Sequence, residues 1–211
     1  MKTNKVKLDP EKILEMKRAT VAYLESLYDQ VPEELKAQLM LPGVLNTSCG
    51  AKKTFLLEPG MDASKAYYLH KGLAILYTMS RKKGKKKIFY IWREGEIIVL
   101  LKAFRDRLKN KDFYIQLIEN SELVSITNLC MDDIYQQHIA AHELTRRIND
   151  LKTERRVRQL DILMEEKQDR YVLFVSLFPD LYNRLTGEQT CGFIGINPTM
   201  LKISKRKFLD I

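Results

Sequence analysis

The sequence predicts an α+β fold in which helices come first, a sandwich or barrel of short antiparallel strands follows, and helices return. The prediction rests on where the spacing of apolar residues changes. They recur at helical spacing up to about Met40, form short runs separated by turn residues from about Thr47 to Ile126, and return to helical spacing after Asp132. With 211 residues, the chain can bury a core without disulfides or a structural metal.

Two helices are expected before the strands. Asp9 can cap the first helix because a proline follows it, and apolar residues recur behind it from Ile13 at helical spacing. Pro32 begins the second helix by the same logic, and Leu41-Pro42-Gly43 ends it.

The middle of the chain consists of short segments rich in Tyr, Phe, Ile and Leu, with turn signals between them. The segments 73–79 and 88–92 flank the sequence RKKGKKK, which we interpret as the turn of a β-hairpin with Gly84 at a positive φ. Its six cations can contact phosphates. More often, however, such a run is only a solvated turn that protects neighbouring strand edges.

A long helix is expected after the strands. No Pro or Gly occurs from Met131 to about Glu166, which allows a helix of roughly 30–35 residues and about 50 Å. Its apolar residues follow a heptad-like pattern flanked by charges, which predicts a parallel two-helix interface. Packing of this stripe on the chain's own strands is the alternative, and both can hold on successive faces. The predicted interface residues are Ile134, Ala141, Leu144, Ile148 and Leu151.

The stretch 185–208 carries the sharpest local signal. A helix from about Gly187 ends at Gly195, and Asn197 followed by a proline begins another helix, which is basic. This is the helix-turn-helix pattern, in which the second helix enters the major groove of double-stranded DNA. An ordinary helical hairpin with a solvated basic face is the alternative. The candidate DNA-binding residues are Asn197, Thr199, Met200, Lys202, Lys205, Arg206 and Lys207.

Charge and cysteine content narrow the class of protein. The formal net charge is +9, which is typical of a nucleic-acid-binding protein when the charge is clustered. The three cysteines, Cys49, Cys130 and Cys191, are scattered and fit a reducing cytoplasm. No apolar run is long enough to cross a membrane, and the first residues have no secretory signal.

Nothing in the sequence indicates an enzyme. It contains no G-x-S-x-G elbow, P-loop or G-x-G-x-x-G fingerprint. His138 and His142 are spaced to share one helical face, but two ligands are too few for a zinc site. We therefore predict no catalytic residues, no metal site and no cofactor.

These stretches together resemble the Crp/Fnr family of bacterial transcription regulators over about residues 47–208. Glu58-Pro59-Gly60, Lys71-Gly72 and Glu94-Gly95-Glu96 match turns of the family's cyclic-nucleotide-binding β-roll. The stretch 131–166 is similar to its dimerisation helix, and the stretch 169–208 to its DNA-binding end.

The resemblance implies a cytoplasmic homodimer that binds double-stranded DNA and has no membrane anchor. It implies a sensor domain over residues 1–130, made of the N-terminal helices and a β-roll of the jelly-roll type. A dimerisation helix over 131–166 and a helix-turn-helix domain over 167–211 would follow. An unidentified small-molecule effector would occupy a pocket that includes Gly95, Glu96 and Lys111.

The sequence departs from the family in that pocket. Members that bind a cyclic nucleotide place a Gly-Glu pair and an Arg followed by Ser or Thr there. This chain has Ile97-Ile98-Val99-Leu100 after Gly95-Glu96, and Lys111-Asp112-Phe113 near the position of the Arg. A buried phosphate without a bidentate guanidinium is costly. We therefore expect cAMP and cGMP not to bind well.

The recognition helix departs as well. The family's usual run of Glu-Thr-(Leu/Val)-(Ser/Gly)-Arg is replaced by residues 199–203, which lack the Glu and Arg that read cytosine and guanine. Gly192 also weakens the preceding helix. Two hypotheses therefore stand: a homodimeric transcription regulator with a degenerate effector pocket, or a ligand-sensing or protein-interaction module that has lost sequence-specific DNA binding.

Overall fold

The computed structural model of the chain describes residues 8–80 and 84–209. The hairpin residues Arg81–Lys83 lie outside this described part. The helices are α1 (Pro10–Leu27), α2 (Glu33–Met40), α3 (Leu101–Arg105), α4 (Asn128–Gln137), α5 (Ile139–Met164), α6 (Arg170–Leu177), α7 (Gly187–Ile194) and α8 (Pro198–Leu209). The strands are β1 (Asn46–Gly50), β2 (Phe55–Leu57), β3 (Lys65–Lys71), β4 (Ala74–Met79), β5 (Lys86–Trp92), β6 (Glu96–Ile98), β7 (Tyr114–Leu117) and β8 (Ser121–Thr127).

The strands form two four-stranded sheets, in the orders β1-β8-β3-β6 and β2-β7-β4-β5. β8 pairs antiparallel with both β1 and β3, and β3 also pairs antiparallel with β6. The α+β prediction and its antiparallel β-roll are thereby confirmed. The predicted hairpin is present, since β4 and β5 are neighbours and Gly84 has a φ of 59°.

The chain divides into two compact units, residues 1–76 with 91–149 and residues 77–90 with 150–211. The predicted domain boundaries after residues 130 and 166 do not coincide with this division. The largest difference is that the tip half of the β4–β5 hairpin belongs to the same unit as α6, α7 and α8.

The N-terminal helices contribute to the core of the first unit. Met16 of α1 and Leu35 of α2 are buried together with Val124 of β8. The same cluster includes Ile134 of α4 and Leu144 of α5. Burial of these apolar side chains drives the packing of the four helices in this region, because it removes apolar surface from water.

The predicted long helix is interrupted. His138 has extended backbone angles (φ −131°, ψ 107°) and separates α4 from α5. Its ring Nε2 lies 2.7 Å from Oε1 of Gln38, and the hydroxyl of Tyr135 lies 2.7 Å from that of Thr145 beyond the break. α5 therefore spans 26 residues.

The core of the second unit is aromatic. The rings of Phe174, Phe178 and Phe193 lie with centroids 5.4–6.2 Å apart. Tyr171 packs against Phe174 and, edge to face, against Phe208 of α8. Such pairs add to the stabilisation from burial, so a short four-helix region has a well-defined core. Within the described residues, no helix is long and apolar enough to cross a membrane.

Candidate nucleic-acid interface

The first helix of the predicted helix-turn-helix is defined at both ends. At the start of α7, the hydroxyl of Thr186 accepts a hydrogen bond from the backbone N–H of Gln189, whose side chain accepts one from the N–H of Thr186. At its end, Gly195 adopts the left-handed conformation with φ 68°. A residue with a Cβ is strained there, so glycine permits the sharp turn into α8.

The second helix begins where the sequence predicts. The side-chain Oδ1 of Asn197 accepts a hydrogen bond of 2.8 Å from the backbone N–H of Met200, so Asn197 is the N-cap of α8. Pro198 occupies the first helical position. The Oδ1 atom of Asn197 is thus already engaged in capping.

The two faces of α8 are clearly different. Leu201 and Ser204 are buried, and Phe208 packs on Tyr171. The opposite face is exposed and has the spacing i, i+3, i+4, i+7 of one helical stripe. We call this stripe the α8 outer face; its residues are Thr199, Lys202, Ile203 and Arg206.

Of the seven candidate DNA-binding residues, three lie on the α8 outer face: Thr199, Lys202 and Arg206. Lys202 and Arg206 form no ion pair with any described residue. Ile203, which sequence reasoning left out, is 51% exposed in the middle of this face. The sequence offered one signal for Ile203: it is an apolar residue that does not share the helical spacing of Leu201 and Phe208.

Two other candidate cations already have partners within the unit. The ammonium group of Lys205 lies 5.4 Å from the centroid of the Tyr171 ring. The ammonium group of Lys207 forms a short ion pair with the carboxylate of Asp169. Met200 is half-buried. These three residues flank the α8 outer face rather than forming part of it.

Arg170 fixes the geometry of the turn and was missed by sequence reasoning. Its guanidinium donates hydrogen bonds to the backbone carbonyls of Ile194 and Gly195, at 3.2 Å each, and of Leu163, at 2.8 Å. A fourth bond of 3.0 Å reaches the carbonyl of Glu165. The carbonyls at helix ends have no partners within the helix, so one side chain here serves the ends of both α5 and α7.

The positive charge of the chain is concentrated in the second unit. Residues 77–90 contain six Lys and Arg and no carboxylate, and residues 150–211 contain eleven Lys and Arg against nine Asp and Glu. The second unit therefore carries eight of the nine net charges. An uneven distribution of positive charge along the chain is one feature expected of a nucleic-acid-binding protein.

No protein-family model matches the sequence, and no curated protein is significantly similar to it. Solved structures are similar in three dimensions. A protein assigned to the Crp/Fnr family of transcriptional regulators, from Eubacterium rectale, gives a TM-score of 0.69 at 15% identity over 87% of this chain and 86% of its own. The c-di-GMP responsive global regulator CLP from Xanthomonas campestris gives 0.66 at 13% identity, over 85% and 92% of the two chains. FixK2 from Bradyrhizobium japonicum gives 0.64 at 9% identity, over 79% and 85%. The chain has a Crp/Fnr-like fold.

The five residues predicted for a dimer interface differ in their burial. Ile134, Ala141 and Leu144 are buried in the core of the first unit, so they are not available to a second copy. Ile148 is half-buried, and only Leu151 is exposed. Three of the five residues of the heptad-like stripe thus pack on their own chain, as the alternative expected, and Leu151 does not.

A different apolar stripe is exposed on α5. Val157, Leu160 and Met164 are all exposed and are spaced by three and four residues, so they lie on one side of the helix. The buried residues Gln159 and Ile162 lie on the other side. We call these exposed residues the α5 outer stripe.

None of the three predicted effector-pocket residues lines the cavity described below. Gly95 forms the turn between β5 and β6 with a φ of 79°, and its N–H donates to the carbonyl of Leu69. The carboxylate of Glu96 accepts hydrogen bonds of 3.3 and 3.4 Å from the side chain and backbone N–H of Arg93. Lys111 is exposed. Glu96 thus stabilises its own turn.

A cavity of about 150 Å³ lies elsewhere in the first unit. A cavity of roughly this volume admits one benzene-sized molecule. Its charged lining groups are Asp62 and Lys65, and no arginine lines it. The cavity therefore lacks the paired N–H donors with which a guanidinium binds a cyclic phosphate. The residues present therefore do not fit a cyclic nucleotide. The lining residues are Leu56, Leu57, Met61, Asp62, Ala63, Ser64, Lys65, Tyr67, Ile98, Leu100 and Ile115.

The two histidines considered as metal ligands are engaged otherwise. His138 bonds to Gln38, and the ring of His142 stacks on Tyr135 with centroids 4.6 Å apart. Over residues 8–80 and 84–209, no three His, Cys, Asp or Glu side chains come together as metal ligands would.

Proposed function

We propose that the protein is a homodimeric DNA-binding transcription regulator of the Crp/Fnr type, located in the cytoplasm and neither an enzyme nor a membrane protein. The α8 outer face carries the proposal. It combines two long cations with small and apolar groups on the exposed side of a capped helix-turn-helix. In a recognition helix, the N-terminal residues contact the base edges, and in α8 these include Thr199 and Lys202.

The α8 outer face suggests how DNA is read. Thr199 lies in the first turn of α8, and its hydroxyl can donate a hydrogen bond to a base edge or accept one from it. The side chain of Ile203 suits the C5-methyl group of thymine, with which apolar residues make contact in the major groove. Lys202 and Arg206 neutralise phosphates. The readout is therefore expected to favour A·T pairs, in contrast to readers that use Glu and Arg.

Pairing through the α5 outer stripe would place two copies of α8 on one duplex. Two recognition helices of a dimer sit about 34 Å apart, one turn of B-DNA, so the site should be roughly palindromic. Burying Val157, Leu160 and Met164 between two helices would also remove an exposed apolar surface from water.

The effector, if one binds, is not a cyclic nucleotide. The cavity in the first unit suits a small, largely apolar molecule with one polar group near Asp62, Ser64 or Lys65. Isothermal titration calorimetry of the full chain with cAMP should show no binding in the micromolar range, and micromolar affinity would contradict this part of the proposal.

DNA binding is tested by fluorescence anisotropy on a mixed-sequence duplex of about 40 base pairs, which accommodates two half-sites one turn apart. Lys202 and Arg206 of both subunits would neutralise about four phosphates, so log K should fall with log salt with a slope of about −3.6 or steeper. Lys202→Ala with Arg206→Ala should remove this part of the slope.

The matched control is Lys52→Ala with Lys109→Ala, which removes two exposed lysines of the first unit. Its slope should equal that of the unmodified protein. If the unmodified protein binds no duplex, or if the α8 variant binds as well as the control, the proposal fails and the protein is an interaction module that retains only the fold.

A further inference from the structure

The tip half of the β4–β5 hairpin belongs to the compact unit of the helix-turn-helix. We call its described residues, 77–80 and 84–90, the hairpin arm. The pairing of β4 with β5 does not explain this membership by itself, because the other elements of the unit are helices. The arm must be attached to the helices of the second unit by contacts of its own.

Side chains of α5 attach the arm on one side. Gln159 is only 1% exposed, and its Nε2 donates hydrogen bonds of 3.0 Å to the carbonyls of both Ile88, in the arm, and Phe193, in α7. Arg156 donates a short hydrogen bond to the carbonyl of Phe89, and its guanidinium lies 5.4 Å from the centroid of that ring. The arm and α7 are thus bonded to the same buried amide.

Gly192 of α7 allows the arm to approach closely. A Cβ at this position would lie 2.9 Å from the backbone carbonyl oxygen of Lys86 and 3.3 Å from Cγ1 of Ile88. The first distance is too short for a real contact, and its partner is a backbone atom that cannot rotate away. The glycine that weakens α7 as a helix is therefore the residue that lets the arm pack directly on it.

The arm brings cations to the side of the helix-turn-helix. Lys85 and Lys87 are exposed. Burial raises the pKa of the Cys191 thiol, and the positive charges of Lys85 and Lys205 both act to lower it. Lys85 directly precedes Lys86, whose carbonyl oxygen lies at the contact with Gly192, so the charge of Lys85 lies beside α7.

The position of α7 gives these cations a target. In a helix-turn-helix bound to DNA, the first helix crosses the phosphate backbone while the second enters the groove. A basic strand packed against the first helix is therefore adjacent to phosphates. Its exposed ammonium groups would release counterions there as other phosphate contacts do.

We propose that the hairpin arm is a second DNA-contacting element, in which Lys85, held beside α7 by the packing of Gly192 on the arm, binds a phosphate of the duplex that α8 enters. The inference rests on the proposed function, since it needs a DNA-binding α8. It assigns to a β-hairpin of the chain a role that the helix-turn-helix pattern alone does not include.

The first experiment compares salt slopes. Lys85→Gln should reduce the magnitude of the slope by about 1.8, because a dimer loses two phosphate contacts worth about 0.9 each. The protein is the full chain, and the probe is the same mixed-sequence duplex. Lys52→Gln, which removes an exposed lysine of the first unit, is the matched control and should leave the slope unchanged.

The second experiment moves the arm without touching its charge. Gly192→Ala should displace the arm from α7, reduce the slope by the same amount, and abolish any further effect of Lys85→Gln in the double variant. Circular dichroism should show that both single variants remain folded. Because Lys85 is exposed, its variant remains informative even if Gly192→Ala does not fold.

The outcomes separate the inference from the proposed function. Absence of duplex binding by the unmodified protein defeats the proposed function before any variant is made. If the unmodified protein binds and the Lys202 and Arg206 variant loses slope, but Lys85→Gln does not differ from its control, the inference alone is wrong. It is also wrong if Lys85→Gln has its full effect in the Gly192→Ala background.

Discussion

A single guanidinium, that of Arg170, joins the ends of two helices in the second unit. It donates to four carbonyls at the ends of α5 and α7. Its planar arrangement of donors suits several acceptors at once, which an ammonium group cannot reproduce. The turn between α7 and α8 therefore depends on a residue outside the helix-turn-helix itself.

Arg170→Ala should lower the free energy of unfolding of the second unit by about 2 kcal/mol, since hydrogen bonds to charged groups contribute about 1.5–3 kcal/mol each and water replaces some of them. Urea denaturation followed by far-UV circular dichroism measures this. Arg170→Lys keeps the charge and should recover only part of the loss. Equal stability of Arg170→Ala and the unmodified protein would show that the four bonds contribute nothing.

Ile203 should discriminate thymine from uracil, because the two bases differ by one methyl group. Contact with that group is worth about 0.8 kcal/mol, or roughly a fourfold preference. In a duplex selected for binding, replacing the contacted thymine by deoxyuridine should weaken the unmodified protein about fourfold and leave Ile203→Ala unaffected. Lys202→Ala, as a control, should bind both duplexes more weakly while keeping the preference.

Among the elements, the hairpin arm is attached by buried polar groups. Gln159 is bonded to carbonyls of Ile88 and Phe193, which lie in different elements of the second unit. Burial also lowers the pKa of the neighbouring Arg156, whose guanidinium is bonded to the carbonyl of Phe89 and to Oε1 of Gln159. Such a network is stable only when every member is satisfied.

Gln159→Met keeps the volume of the side chain and removes its donors. Leaving two carbonyls unpaired should cost about 1–3 kcal/mol each. The melting temperature should fall by several degrees, and trypsin should cleave the arm at Lys85 to Lys87 more rapidly. Gln168→Met, at an exposed glutamine, is the control and should change neither quantity.

At this scale the sequence predicts the features that local hydrogen bonds determine, and it does not predict those that depend on long-range contacts. Asn197 and Gly195 define the ends of α8 and α7 through bonds within a few residues, so the sequence predicts both ends. The attachment of the arm joins Gln159 to Ile88 across 71 positions. No spacing in the sequence indicates that pairing, and Gly192 suggested only a weakened helix.

At the scale of the whole molecule, the proposed dimer requires α5 to bury one side on its own chain and to offer another side to a second copy. Periodicity cannot say which is which, because both sides carry apolar residues at three- and four-residue spacing. The sequence therefore predicted an interface that includes the buried Ala141 and Leu144, whereas every residue of the α5 outer stripe is exposed. Only the packing of the folded chain shows which side of α5 is buried and which is exposed.

Leu151 and Leu160 allow the two interfaces to be compared directly. They are similarly exposed, at 42% and 44%, but nine residues apart, so at about 100° per residue they lie on opposite sides of α5. Leu160→Lys should place a charge in the pairing surface and convert the dimer to a monomer, because an unpaired charge is costly in a buried interface. Leu151→Lys should leave the dimer intact. Sedimentation equilibrium of each full-length variant gives the mass. A dimer that survives Leu160→Lys and dissociates with Leu151→Lys would support the interface that the sequence predicts, which includes Leu151. A strictly monomeric unmodified protein would exclude both interfaces.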